Sequence, residues 1–117
     1  MDNINKIIVS ALKPIGLPVA ERLYEGKKDE YIVFNLTDDR GNDWGDDRPH
    51  ADVAYLHVHY ICPWSASYHD KRRQIRQALF DAGATWPEVS DLSDEAERVR
   101  HFVFEFEIEN LYELEGI

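Results

Sequence analysis

The segment Ala51–Cys62, with the sequence ADVAYLHVHYIC, decides the fold of this chain. It consists almost entirely of β-branched, aromatic and aliphatic residues, which predicts a long central strand. Because side chains alternate along a strand, one predicted face carries Ala54, Leu56, Val58 and Tyr60, and the other carries Val53, Tyr55, His57, His59 and Ile61. Neither face is plainly polar. The strand is therefore expected inside a sheet, with a helix over one face and another layer, chain or ligand over the other.

The composition predicts one reduced domain that acts in solution. The chain of 117 residues is expected to form a single domain over residues 1–117 and to bury about two-thirds of its unfolded surface. Cys62 has no partner within the chain, and the sequence shows neither a long apolar run nor a basic and apolar leader, which predicts a soluble intracellular protein. The net charge of −10 argues against a broad phosphate-binding surface.

Shorter patterns on both sides of the central strand predict two helices and further strands. Ile4, Ile8 and Leu12 recur at helical spacing, which predicts a helix over residues 3–12. The segments Pro18–Tyr24 and Tyr31–Leu36 are predicted to pair as a hairpin. After the central strand, Ile75, Ala78, Leu79 and Ala82 form the apolar stripe of a second helix that Gly83 ends, and residues 86–92 form a weaker strand.

The clearest alternation lies near the C-terminus. Its apolar side carries Phe102, Phe104, Phe106 and Ile108, and its polar side carries Val103, Glu105, Glu107 and Glu109. This strand is expected beside the central strand, with its phenylalanines under the helices. The predicted class is α+β: a single antiparallel or mixed sheet of about four or five strands with two helices mainly on one face, in the order helix, three strands, helix and a strand pair. Residues 111–117 are expected to form a loose tail.

Residues 37–50 lack any periodicity, and the sequence predicts a long acidic hairpin loop there. The residues that stand out are Asp38, Asp39, Asp43, Trp44, Asp46 and Asp47. Long loops in compact domains are usually functional or disordered, and aromatic residues are favoured at interfaces. Three interpretations stay open: a contact arm that becomes ordered against a neighbour, an inert solvated tip, and a calcium site. The segment lacks the ligand spacing of an EF-hand calcium loop.

His57 and His59 are the strongest candidates for chemistry. They project from the same strand face and, with Glu105 or His101 from a neighbouring strand, would form a metal site of two histidines and one carboxylate. Paired histidines on a half-exposed sheet face are more often packing or interface residues, so the sequence predicts neither a metal site nor a cofactor. No nucleophile elbow and no phosphate-binding glycine loop is present in the sequence, and no catalytic residue is predicted.

The charges divide into a basic helix and acidic surfaces. Arg72, Arg73 and Arg76 crowd the second helix. We expect them to meet an acidic partner and not nucleic acid, because the chain as a whole is acidic. The acidic surfaces are the aspartates of residues 37–50 and Glu105, Glu107 and Glu109. The alternative is a solvated helix face.

Several segments together resemble a known family. The segments that carry the likeness are Leu17–Val19, Glu30–Asn35, Tyr55–Ile61, Ala82–Gly83 and Arg100–Phe106. With the short N-terminal helix and the cationic helix, this order is similar to that of the small tail-completion proteins of long-tailed bacteriophages and prophages, also called tail-terminator or head–tail joining proteins. The likeness covers nearly the whole chain and lies in the pattern of elements and apolar spacing.

The resemblance implies a structural virion protein and no enzymatic activity. Such a protein is a subunit of a ring, commonly six-fold, at the head-proximal end of the tail, where it stops polymerisation of the tail tube and mates with the connector. It would be made in the bacterial cytoplasm, bind no membrane and contact DNA only as DNA passes through the ring. In such a ring the basic helix would meet an acidic strand or loop of a neighbouring copy, because a cyclic ring joins two different patches of one subunit. Glu105, Glu107 and Glu109 would face the channel and repel passing DNA. Two other classes stay open: a small metal-binding enzyme that uses the His57 and His59 face, and a regulatory module that binds a protein partner through Trp44 and Trp64.

Overall fold

A computed structural model describes the backbone of residues 2–45 and 48–111, and the side chains of residues 4–37 and 53–109. Its elements, in chain order, are α1 (Asp2–Leu12), a 3-10 turn (Lys13–Ile15), β1 (Val19–Glu21), β2 (Tyr31–Gly45), β3 (Arg48–Pro63), α2 (His69–Asp81), β4 (Glu88–Asp91) and β5 (Val99–Leu111). The predicted α+β class is confirmed.

The strands form one mixed sheet in the spatial order β1-β2-β3-β5-β4. The predicted central strand is β3, which pairs antiparallel with β2 on one side and with β5 on the other. The predicted hairpin of the first two strands is wrong, because β1 pairs parallel with β2, with Val19 opposite Ile32. Since parallel neighbours run in the same direction, segment 22–30 must return along the sheet, and Arg22 begins this return with a positive φ of 69°.

Both helices pack on one face of the sheet, which we call the covered face. α1 contributes Ile4, Ile8 and Leu12, and α2 contributes Ile75 and Leu79; all five are fully buried. The sheet side of this core consists of Ile32, Phe34, Ala54, Leu56, Val58, Tyr60, Cys62, Phe102, Phe104, Phe106 and Ile108. The alternation read from the sequence therefore assigned the faces of β3 and β5 correctly. No helix in the described chain is long and apolar enough to cross a membrane.

Residues 37–50 do not form the predicted aperiodic loop. β2 and β3 continue through them as a hairpin, paired from Asp38 opposite Tyr55 out to Gly45 opposite Arg48, with a bulge at Thr37. Two strands that pair with each other beyond the packed core need no apolar alternation, which is why the pattern gave no sign of a strand. Asp46 and Asp47 lie outside the described residues, as does the tail predicted beyond Leu111.

Candidate functional site

The other face of the sheet, which we call the open face, carries the histidines. No helix covers it in the part of the chain that the structure describes. The register sets His57 opposite Glu105, and His57 Nε2 lies 3.8 Å from Glu105 Oε1. One row further along, His59 Nδ1 and His101 Nε2 are 2.9 Å apart, a hydrogen bond across two strands. The four side chains suggested by the sequence are therefore neighbours.

Burial sets the charge state of the hydrogen-bonded pair. Desolvation lowers the pKa of His59, and the nearby His101 and His57 lower it further. Desolvation also lowers the pKa of His101. Both imidazoles are therefore mainly neutral at pH 7, and a neutral pair can supply the one donor and the one acceptor that their hydrogen bond requires.

The four groups form two separate pairs instead of one ligand set. Among the described residues, no three His, Cys, Asp or Glu side chains converge in a way that would hold a metal ion. His59 and His101 bond to each other, and Glu105 belongs to the His57 pair. The arrangement is a polar surface on which the side chains pair with one another.

An acidic groove of about 430 Å³ runs beside His57 on the open face. The half-exposed Trp86 lines it. Its polar lining is Thr37, Tyr55, His57, Thr85, Glu88, Glu105 and Glu107. Glu109 is exposed further along the same strand. The sequence analysis identified the β5 glutamates but missed Glu88 and Trp86. The register that brings Glu88 opposite Glu105 depends on the placement of the short strand β4, which no sequence pattern fixes.

The three arginines of α2 lie at the β4 edge of the sheet. Together with Val89 and Asp91 they line a pocket of about 280 Å³. Arg73 is the most exposed and pairs with Asp70 at 2.7 Å on its own helix. Because an exposed pair of this kind is weak, Arg73 can exchange its partner at small cost.

Arg72 and Arg76 are half-buried and have contacts within the fold, so they are not simply a solvated helix face. Arg76 donates from Nε to the carbonyl oxygen of Pro87 at 2.8 Å, and its guanidinium stacks 4.7 Å from the centre of the Trp86 ring. The Arg72 guanidinium lies 5.3 Å from the centre of Phe102. The remaining donors of both guanidinium groups stay available to an anion at the pocket.

A second stacked cation was missed by the sequence analysis. The guanidinium of Arg100 lies 4.3 Å from the centre of the Trp64 ring and 4.6 Å from that of Tyr68, and its Nε donates to the carbonyl oxygen of Trp64. Trp64, which the sequence suggested as a partner-binding residue, is therefore engaged within the fold. These groups are neighbours because β3 and β5 pair with Pro63 opposite Val99. The spacing of residues in the sequence does not predict that register.

The hairpin carries the remaining candidates. Asp38, Asp39, Asp43 and Trp44 belong to the distal part of β2, and their side chains lie outside the described residues. The backbone shows that β1 pairs with β2 only from Ile32 to Phe34. In the described chain, no other strand pairs with that edge of β2 from Asn35 onward. The acidic segment thus lies on an open sheet edge.

Comparison with known proteins supports the fold and no further statement. No family model matches the chain, and no curated protein matches it. A solved structure of a protein whose name states no function is similar, with a TM-score of 0.55 and 9% sequence identity over 93% of this chain and 96% of that one. At that identity the likeness concerns the α+β fold alone.

Proposed function

We propose that this chain is a structural subunit of a phage tail that assembles into a ring, caps the tail tube and joins the tail to the head connector. The pattern of segments in the sequence suggested this role. The observation that carries it is the β2–β3 hairpin, which extends a sheet edge and an uncovered sheet face beyond the packed core.

The shape of the molecule supports assembly. Its radius of gyration is 15.7 Å and its extents are 54 × 24 × 22 Å. A compact domain of this length would have a radius of about 13 Å. Among the described residues, no third strand pairs with the hairpin beyond the last β3–β5 pair, Ala51 with Leu111. Isolated two-stranded ribbons are marginally stable in water, so contact with a neighbour would stabilise this one.

The open face supports the same role. Glu105, Glu107 and Glu109 form an exposed acidic row on β5. In a ring that encloses a channel, such a row would repel the DNA backbone and let DNA pass without binding. The proposal needs no catalytic group, cofactor or membrane contact.

The metal-binding enzyme is not proposed as a second function, because the described histidines and carboxylates do not converge. The regulatory module loses support as well, since Trp64 stacks on Arg100 within the fold.

The test is to add the purified chain to polymerising tail-tube subunits of the phage that encodes it. Electron microscopy should show tubes that stop growing and carry a ring at one end. A matched control is the same chain without residues 38–52, which lacks the distal hairpin, with its folding checked by circular dichroism. Tubes that grow equally long with and without the intact chain would contradict the proposal.

A further inference from the structure

Opposite edges of the sheet carry opposite charges. One edge is β4, where Arg72, Arg73 and Arg76 line the 280 Å³ pocket. The other edge is β2, whose sequence beyond Leu36 contains Asp38, Asp39 and Asp43. The three strands β2, β3 and β5 lie between the two edges in the spatial order of the sheet. The strand order therefore places the two charged segments at opposite edges of one molecule.

The acidic edge also has unpaired backbone. β1 covers three residues of β2, and within the described ranges the same side of β2 has no strand partner from Asn35 to Gly45. Open edges of this length are sites for strand addition, and natural proteins usually cover them. A partner that pairs a strand with this edge and also supplies positive charge would form hydrogen bonds with the unpaired backbone and neutralise the aspartates.

We propose that copies of this chain join head to tail, with the β4 edge and the arginine pocket of one copy against the open β2 edge of the next. This inference rests on the proposed function, because it specifies the contact by which the ring would form. The occupant of the arginine pocket is a carboxylate from the neighbour's hairpin. Such a contact joins two different surfaces, which is what a closed ring requires.

The charges favour this pairing over a two-fold dimer. Two β2 edges facing each other would bring the aspartates of both copies together, and like charges on paired strands are destabilising. Two β4 edges would bring two sets of arginines together. Asp91 lines the pocket and Asp70 pairs with Arg73, so three guanidinium groups meet two carboxylates and the pocket keeps a positive charge.

Two single-cysteine variants test the contact. Asp39→Cys labels the β2 edge and Asp91→Cys labels the β4 edge, while the native Cys62 is fully buried and the unaltered chain measures its background. With a short thiol cross-linker, we expect a product of twice the subunit mass from the mixture of both variants, and little from either variant alone. Self-linking of Asp39→Cys as efficient as mixed linking would overturn the head-to-tail arrangement.

Charge reversal provides a second test. Arg73→Glu should weaken self-association by roughly tenfold at low salt, with less effect at high salt where the wild-type contact is already screened. Lys6→Glu on α1 makes the same change of charge away from both edges and should leave association unchanged. Equal effects of the two reversals would show that net charge alone is responsible.

The outcomes separate this inference from the proposed function. Suppose that rings cap the tail tubes, but the two cysteine variants give no mixed cross-link and Arg73→Glu does not weaken association. Those results would overturn the proposed edge contact without contradicting the proposed ring. A chain that never self-associates, with or without tail-tube subunits, would overturn both. Cross-linking of the Asp91→Cys variant to tail-tube subunits alone would assign the pocket to that protein and refute a second copy as its occupant.

Discussion

The two faces of the sheet differ in what their side chains do. On the covered face, Phe34, Phe102 and Phe104 are at most 1% exposed beneath the helices. On the open face, the alternate positions of the same strands carry His59, His101 and a row of glutamates. Successive residues of one strand thus serve two purposes. The covered face supplies the free energy of folding, and the open face remains available for contact with other molecules.

The two faces should differ most in the free energy of unfolding when adjacent residues of β5 are replaced. Phe104→Ala should lower the free energy of unfolding by about 3–5 kcal/mol, because it leaves a cavity in the core beneath the helices. Glu105→Ala, one residue along and on the open face, should change it by less than about 0.5 kcal/mol. Denaturant unfolding measures both. Similar losses at the two positions would mean that the open face is part of the folding core.

Tyrosines on the two faces extend the comparison. The Tyr60 hydroxyl donates to Glu30 Oε2 at 2.6 Å, so Tyr60→Phe should cost about 1.5 kcal/mol, in the range for hydrogen bonds to charged groups. Tyr31 on the open face stacks on Tyr24 at 4.4 Å, a contact that a phenylalanine ring retains. Tyr31→Phe should therefore be nearly neutral. The prediction fails if thermal unfolding shifts equally in both variants.

The histidine pair should make the open face sensitive to acid. The pKa values of His59 and His101 are lowered in the folded chain, so the unfolded chain binds more protons as the pH falls below 6.5. The contribution of neutral histidine to stability is therefore complete above pH 6.5 and is lost progressively below it. Double replacement, His59→Gln with His101→Gln, should flatten this dependence.

The control for that experiment is His69→Gln, which alters an exposed histidine at the start of α2. Unfolding curves between pH 7 and pH 5 should keep the wild-type slope in the control and show a smaller slope in the double variant. An unchanged slope in the double variant would assign the acid sensitivity to other groups.

A small effect on stability is expected at Arg73. Its bond to Asp70 joins two side chains that are 80% and 75% exposed. Arg73→Ala should therefore change the free energy of unfolding by only about 0.3 kcal/mol. A small value here matters for assembly, because a large loss of association in Arg73→Glu could then not be attributed to unfolding. A loss above about 1 kcal/mol would indicate that Arg73 supports the fold.

The fold was predictable where alternation reports burial. The phenylalanines of β5 identified the covered face of that strand, because a shift of one residue would move all of them to the other face. In β3 the alternation separated the two faces without showing which one the helices cover. The parallel pairing of β1 was not predictable, since segment 22–30 resembles a turn. The strands of residues 37–45 and 48–50 were missed because an aspartate-rich ribbon outside the core carries no apolar signal.

The sequence predicted which residues belong to the candidate site better than it predicted how they contact one another. Two-residue spacing placed His57 and His59 on one face, and both lie there. The diagonal hydrogen bond to His101 depends on the register between β3 and β5, which cooperative packing sets. Likewise, nothing in the sequence showed that Trp86 would lie beside both Arg76 and the acidic groove, because that depends on where β4 joins the sheet edge.

The mass of the chain in solution tests the central claim most directly. Sedimentation equilibrium over a range of concentrations, alone and with tail-tube subunits, distinguishes a ring subunit from an independent domain. We expect a multiple of the 13.7 kDa subunit mass that increases with concentration or appears when the tube is present. A mass that stays at one subunit under every condition, including in the presence of the tube, would contradict the account.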